Sequence, residues 1–424
     1  MPSGWGATGF SVAGDHRPTD SGILVSRKRS PISDPEWDVI VVGAGPAGSV
    51  CAEYLARRGH KVVLLERDSR PGACANCTGI IGEEAFEVFD LPRDLVVSSI
   101  ADVTFRGPYR REVGFAAGRT LAHVVRRFRF DAALAERAAE AGAELITGVR
   151  VAGGSRGPDG VEAYGVRGRK SVAFRGRAIV LAVGYHLALL RSFDMDGPRE
   201  FVQGVQLLCR SKKIDRVEVY VGSKWAPGSF GWAVPLEPGW VKVGLTTTRR
   251  ARRHLDAILE SEHLAGRLNL STARVRLSPI PVGTLARTHD DRVLVVGEAA
   301  GQVKTTSNGG IYYSMLGARE AGATLDAALR RDDLTAAGLA SYEAAWRNLL
   351  EPELRVGQQL REVFDSMSDA RLAALMWIGG VDSLMNLIRD KADFDWHQPL
   401  LDELSRHRVV GQFLRSGEPA AAEA

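Results

Sequence analysis

Three glycines and a carboxylate carry the first chemistry legible in this chain. Gly43, Gly45 and Gly48 occupy the G-x-G-x-x-G of Gly43-Ala44-Gly45-Pro46-Ala47-Gly48, and Glu66 follows eighteen positions after the last of them. At that spacing the first glycine permits a tight turn and the second lets the backbone approach a pyrophosphate. The third lets a helix pack closely on a strand. A carboxylate at the position of Glu66 can accept hydrogen bonds from adenosine ribose hydroxyls. The motif alone is weak, because glycine-rich turns are common, and its force comes from its neighbours. Residues 39–42 are a short, β-branched apolar run, which reads as a buried parallel strand. Ala47, Val50, Cys51, Tyr54 and Leu55 then recur at helical spacing, and Gly59 can cap that helix. Residues 62–65 form a second apolar run that delivers Glu66 and Arg67. Strand, turn, helix, strand and acid in that order predict a dinucleotide-binding βαβ unit.

Other reactive residue types lie further along. Cys74 and Cys77 form a C-x-x-C in a loop of small residues that enters a short helix near Glu83. Zinc needs two further ligands at suitable spacing, and Cys51 and Cys209 do not supply them, so the expected metal is none. A thiol beside a redox cofactor and a plain structural cysteine both remain open. A second glycine turn, Gly297-Glu298, follows the apolar run at 293–296. A third, Ser307-Asn308-Gly309-Gly310, opens a helix expected over 311–329. The amides of Gly309, Gly310 and Ile311 would form a site of positive potential there. Gly317 and Gly322 weaken that helix in isolation and imply close packing on a neighbour.

These residues need elements to hold them, and the patterning supplies three regions. With 45% hydrophobic and 25% charged residues, the 424-residue chain is ordinary for a globular protein and long enough for two or three domains. Residues 1–36 are rich in Gly, Ser, Pro and Asp and read as a disordered extension without a secretory signal. Residues 37–98, 119–185 and 283–338 read as one α/β domain, with the helix over Phe130, Leu134 and Ala138 and the buried strand at 178–184. Residues 99–118 and 186–282 alternate in strand fashion and predict an inserted antiparallel sheet, interrupted by a charged helix around 250–268. Residues 339–424 read as a helical region. Leu339, Tyr342, Trp346, Leu349 and Leu350 form one stripe, and Pro352 should kink or break it. The apolar stretch 371–388 reads as a buried helix pair. A membrane-surface helix is the lesser reading, since Lys and Arg are not enriched on its polar face. A net charge of +4 with no basic block gives no argument for nucleic acid. Four scattered cysteines point to a reducing cytoplasm.

With these motifs placed, the chain resembles the geranylgeranyl reductase family, which shares the fold of para-hydroxybenzoate hydroxylase. The resemblance rests on GAGPAG with Glu66-Arg67, the Cys77-Thr78-Gly79 loop and Arg127-x-x-Phe130-Asp131. It also rests on Pro227-x-x-Phe230-x-Trp232-x-Val234-Pro235 and on VLVVGEAAGQVKTTSNGGIYYSM, and it covers roughly residues 37–400. It implies a Rossmann-like domain that binds FAD, with Gly43, Gly45, Pro46, Ala47 and Gly48 at the pyrophosphate and Glu66-Arg67 at the ribose. Arg127 would lie in the phosphate and ribose region, and Gly297-Glu298 at the ribityl chain. Gly309, Gly310 and Ile311 would lie under the isoalloxazine pyrimidine edge. Phe230 and Trp232 would line a substrate cavity, with Cys77 nearby, and these three are the candidate catalytic residues. Three positions depart from the family pattern: Glu298 stands for Asp, Phe230 for Tyr, and Thr78 for Gly.

The expected activity is reduction of C=C bonds in a prenyl or other long apolar chain by reduced flavin. The fold carries the chemistry through its cofactor. No second G-x-G-x-x-G is present, so the electron donor would be transiently docked NAD(P)H or a ferredoxin-like protein. The expected partner is an apolar or lipid substrate, in a cytoplasmic protein for which peripheral membrane contact is left open. A flavin-dependent monooxygenase or halogenase of the same fold is the second hypothesis. Phe230-x-Trp232-x-Val234-Pro235 is near the halogenase W-x-W-x-I-P but lacks its first Trp. A prenyl-binding chaperone is the third.

Overall fold

The computed structural model describes residues 36–407. The expected extension at 1–36 therefore lies outside the described residues, except for Glu36, as do residues 408–424. The central layer is an eight-stranded sheet. Its main path runs His289–Asp290, Val293–Val295, Lys170–Leu181, Trp37–Val42, Val62–Leu65, Glu144–Ile146. The pairs of Trp37–Val42 with its two neighbours are parallel, as are the pairs further out with Glu144–Ile146 and Val293–Val295. Strands Val149–Gly157 and Gly160–Arg167 extend the sheet as antiparallel partners leading into Lys170–Leu181.

The apolar run that opens the chain's first motif is buried on both faces. Val39 and Val41 enter a core beneath helices Pro46–Ala56, Arg127–Glu140 and Ile311–Arg331, while Ile40 and Val42 enter a second core on the other side. Burial on both faces is why the run shows no alternation. The glycines inside the helix Ile311–Arg331 have the expected neighbours. A Cβ on Gly317 would meet the Gln302 amide at 2.2 Å, and one on Gly322 the Tyr54 ring at 2.8 Å.

The second layer is a seven-stranded sheet in the order Val275–Val282, Glu200–Arg210, Trp240–Thr247, Ala226–Pro235, Val217–Gly222, Asp102–Arg106, Glu112–Ala116. One face carries Val205, Leu207, Ala233, Val241, Val243 and Leu245 and is covered by helix Ala251–Leu259. The other face looks toward the first layer. A three-stranded sheet, Ile80–Gly82, Ala122–Val125 and Val96–Ile100, joins the two.

Four expectations need correction. Residues 187–195, counted with the inserted sheet, stay with the first layer: Leu189, Leu190, Phe193 and Met195 all enter its second core. The stretch 99–118 is divided, because Val96–Ile100 pairs in the connecting sheet and only the strands within 102–116 reach the larger one. The charged helix at 250–268 is shorter, Ala251–Leu259, followed by turns. Finally, helix Ala336–Ser366 is not broken at Pro352 but continues through it. Glu353, Leu354 and Gly357 beyond the proline are buried, and this packing offsets the lost amide donor. Of the expected stripe, Leu339, Tyr342, Trp346 and Leu350 are fully buried, whereas Leu349 is exposed.

The apolar tail forms two helices, Asp369–Gly379 and Asp382–Lys391. Among the described residues no single helix is long and apolar enough to cross a membrane; these two pass that test only as a pair bent by 85°.

Candidate active site

A cleft of about 260 Å³ opens along the carboxyl ends of the parallel strands. Gly43, Gly45, Pro46, Ala47, Glu66, Arg67, Arg127, Gly297, Glu298, Gly310 and Ile311 all line it, joined by Asp68, Cys74, Asp131 and His186. Two expected residues have other tasks. A Cβ on Gly48 would lie 1.8 Å from the Gly43 carbonyl oxygen, so Gly48 keeps the turn closed from behind. Gly309 faces the Lys304 stem at 3.3 Å and the Ser307 hydroxyl.

The turn itself is made by Gly43 at φ +103°, where a Cβ would strike the Ala182 carbonyl oxygen at 2.3 Å. Gly45 differs from both, since nothing lies within 4 Å of the place its Cβ would occupy. That open space faces the start of helix Pro46–Ala56, which has Gly45 as its cap and no side chain on its first amides. Helix Ile311–Arg331 likewise starts at Gly310 without a side-chain cap. Two uncapped helix starts on one cleft leave several amide donors pointing to an anionic or carbonyl-rich ligand.

The charged groups of the cleft hold one another. Glu66 accepts from the Ala44 and Asp68 amides, both at 2.9 Å, which orients its carboxylate and leaves lone pairs free for a ligand. Arg127 donates two hydrogen bonds to Asp131 at 2.7 and 2.8 Å. Burial disfavours its charge, but the carboxylate outweighs burial and raises the guanidinium above its ordinary range. Glu298 is reached by solvent through the cleft yet is enclosed by protein atoms. That enclosure pushes its carboxyl up, against the pull of Arg127 and with added repulsion from Asp131.

The inner face of the seven-stranded sheet packs on loops beside the cleft, and the expected residues Phe230, Trp232 and Cys77 do not line the cleft itself. Strand Trp240–Thr247 bridges two loops of the first layer. At one end Lys242 Nζ donates to the Cys77 carbonyl at 2.5 Å and the Thr78 carbonyl at 3.3 Å. At the other end Thr246 Oγ1 accepts from Asn308 Nδ2 at 3.1 Å. Those anchors are roughly 13 Å apart along an extended strand. Between them, Gly244 gives its space to the Trp232 indole, which a Cβ would meet at 2.7 Å. Phe230 and Trp232 share this face with ring centroids 5.9 Å apart. Trp232 also packs against the buried cluster of Ile100, Ala122, Val124, Val217, Val234 and Leu236, and its Nε1 is buried with no partner among the described residues. Gln206, on the adjacent strand, donates to Asn76 and accepts from Thr78.

The two loop cysteines are divided between these regions. Cys74 is exposed and lines the cleft. Cys77 is half-buried, its sulfur accepts from the Gly79 amide at 3.4 Å, and its side chain interacts with Arg127. Among the described residues no group of three or more His, Cys, Asp or Glu side chains could hold a metal ion. Sequence reasoning missed Lys242. Burial pushes its ammonium down to about 8, with Arg126, Arg127 and Arg276 adding repulsion and Cys77 opposing them. The available signal was a lone lysine between Val241 and Val243 in a strand whose neighbours are apolar or small.

This geometry can be set beside known proteins. An NAD(P)-binding Rossmann-like domain model matches residues 41–98. Digeranylgeranylglycerophospholipid reductase 2 of Methanothermobacter thermautotrophicus is 28% identical over 361 residues, covering 80% of this chain and 91% of that one. The chain resembles the geranylgeranyl reductases along most of its length. A Methanocaldococcus jannaschii digeranylgeranylglycerophospholipid reductase is 29% identical, with 80% and 89% covered. Among solved structures, a geranylgeranyl bacteriochlorophyll reductase-like protein of Thermoplasma acidophilum aligns with a TM-score of 0.77. It is 20% identical, with 90% of this chain and 99% of that chain covered. A p-nitrophenol 4-monooxygenase of Pseudomonas putida aligns at 0.66 with 17% identity, covering 87% and 98%. The fold is therefore that of the flavoprotein oxidoreductases, reductases and oxygenases alike.

Proposed function

We propose that this protein is an FAD-dependent reductase of C=C bonds in the prenyl chain of a lipid. The observation that carries the reading is the bridging strand Trp240–Thr247. It runs from the Cys77 loop to the Asn308 turn, and its neighbour Ala226–Pro235 sets Phe230 and Trp232 beside it on the same face, next to a cleft suited to a dinucleotide. The named relatives support the lipid class.

The residues present fit FAD. The open position at Gly45 and the uncapped helix start behind it would take the pyrophosphate, and Glu66 the ribose. Arg127, Gly297 and Glu298 would flank the ribityl chain, and the amides at Gly310 and Ile311 the pyrimidine edge. When bound and reduced, FAD supplies hydride to one alkene carbon. The chain's own residues orient the substrate and exclude water. Phe230 and Trp232 would do so with their rings. Phe230 has no hydroxyl to give, so the proton for the second carbon would come from water, from the Cys77 thiol or from another nearby side chain. Lys242 holds the Cys77 and Thr78 carbonyls and thereby sets where that thiol points; it is a positioning residue. The electron donor would be NAD(P)H or a ferredoxin-like protein, docking for each reduction.

Anaerobic reduction with NADH, NADPH or dithionite, followed by incubation with prenyl lipids and mass analysis, tests the reading. Gain of two hydrogens per reduced bond is expected. An oxygenated or halogenated product formed only in air would replace it with the monooxygenase or halogenase reading.

A further inference from the structure

Arg361 projects from helix Ala336–Ser366 onto the turn that opens helix Ile311–Arg331. Its Nη1 donates to Asn308 Oδ1 at 3.3 Å, and its Nη2 is buried with no partner among the described residues. No described carboxylate forms an ion pair with it. Asp365 and Glu200 act on it only at longer range, and burial pushes the guanidinium below its ordinary range. Arg361 is one member of a continuous polar row. Asn308 Nδ2 donates to Thr246 Oγ1 at 3.1 Å, and Thr246 shares a hydrogen bond of 2.5 Å with Ser229 Oγ. Ser307, beside Asn308, has a buried hydroxyl that is also without a partner. The row thus joins sheet, turn and long helix, and two of its members hold unused donors.

A guanidinium with one nitrogen buried and unpaired, and its carboxylates only at longer range, is costly, and proteins compensate such groups with an anion. The FAD pyrophosphate does not serve, because its place is at the Gly45 turn in another loop. A tetrahedral oxyanion offers several oxygens to donors on different elements, which suits a fork-shaped guanidinium beside a hydroxyl. We propose that Arg361, with Ser307 and the Asn308–Thr246 pair, binds the phosphoryl group of the substrate's polar head. This deepens the reductase reading and rests on it. The head is held at the Thr246 end of the bridging strand, and the prenyl chain runs along the sheet face toward Trp232 and Lys242. Arg361 is then a specificity residue that separates phosphorylated prenyl chains from neutral ones. The phosphoryl group could belong to a prenyl phosphate or to a glycerophospholipid.

The test uses FAD-loaded protein with the flavin oxidised, so that binding is read without turnover. Calorimetry gives dissociation constants for a prenyl phosphate, for a glycerophospholipid bearing the same chain in micelles, and for the matching prenyl alcohol. Wild type should prefer at least one phosphorylated ligand over the alcohol by roughly tenfold or more. Whichever of the two shows the gap identifies the source. Arg361→Gln should collapse the ratio toward one, and Arg361→Lys should restore part of it. A ratio unchanged in Arg361→Gln, or near one in wild type, overturns the subsite. Should Arg361→Gln fail to fold, Ser307→Ala provides the same ratio: a several-fold fall upholds the subsite and no fall overturns it. The two readings separate cleanly. Loss of the ratio in a protein that reduces none of these lipids removes the reductase reading and leaves the subsite. Reduction of phosphate and alcohol with equal KM, unaltered in Arg361→Gln, does the reverse.

Discussion

The cleft along the parallel strands offers a ligand glycine turns and helix starts, whereas the sheet face packed beside it is built from side chains on several strands. At the Gly43–Gly48 turn a ligand would meet amides, an open position and the starts of two uncapped helices. On the sheet, the corresponding surface comes from Gln206, Trp232, Lys242 and Thr246, which lie on three different strands. Backbone recognition needs a particular local conformation, so it leaves a compact glycine motif. Side-chain recognition needs only that distant positions meet, so it leaves scattered single residues.

Substitutions can break this comparison at its strongest point first. Gly48→Val would place a side chain where even a Cβ lies 1.8 Å from the Gly43 carbonyl oxygen. The turn must move, and we expect a loss of about 3 kcal/mol or more in denaturant unfolding, together with FAD binding. Gly45→Val meets nothing within 4 Å in the protein itself. Its apo form should melt within about 2 °C of wild type. Its FAD dissociation constant should nevertheless rise roughly 100-fold, the equivalent of about 2.7 kcal/mol. If both variants lost stability equally, the distinction between a glycine for the turn and a glycine for the ligand would fail.

Lys242 probes the side-chain region. Its folded pKa of about 8 lies below the ordinary 10.5. Between those values the unfolded chain binds more protons, so this lysine makes stability rise with pH across that window. Below about pH 8 its burial costs the fold on the order of 2–3 kcal/mol. In Lys242→Met that cost is absent at every pH. Urea unfolding at pH 7.5 and 10.5 should show wild type gaining on the variant by about that amount. A constant difference would mean that Lys242 keeps an ordinary pKa. The smallest effect separates the two cysteines. FAD loading should slow maleimide labelling of the cleft residue Cys74 and leave Cys77 unchanged, read by peptide mass spectrometry. Equal protection of both would move Cys77 into the dinucleotide cleft.

The legibility of the site follows the same division. Gly43, Gly45, Glu66 and the Gly297-Glu298 turn were readable because each sits where an apolar strand ends, and strand ends at one edge of a parallel sheet necessarily converge. The resemblance places both Gly309 and Gly310 at the ligand, yet Gly309 packs on Lys304; two adjacent glycines cannot be told apart in sequence when only one lines the cleft. By local rule Pro352 kinks or breaks a helix, and here the helix is not broken, with Glu353, Leu354 and Gly357 packed beyond it. Residues 187–195 resembled the start of the inserted sheet, yet Leu189, Leu190 and Phe193 are buried with the first layer.

By itself, then, the order of residues determined the βαβ unit, the dinucleotide turn and the presence of a second, antiparallel sheet. Those depend on periodicity and turn chemistry within a few dozen residues, and both are written locally. The tertiary structure decided which face of that sheet packs on the first layer, that Lys242 reaches the Cys77 loop, and that Arg361 reaches Asn308 from a helix fifty-three positions later. Each of these is a contact between elements distant in sequence. Its energy comes from burial and from the pairing of polar groups, and neither is expressed until the layers have packed.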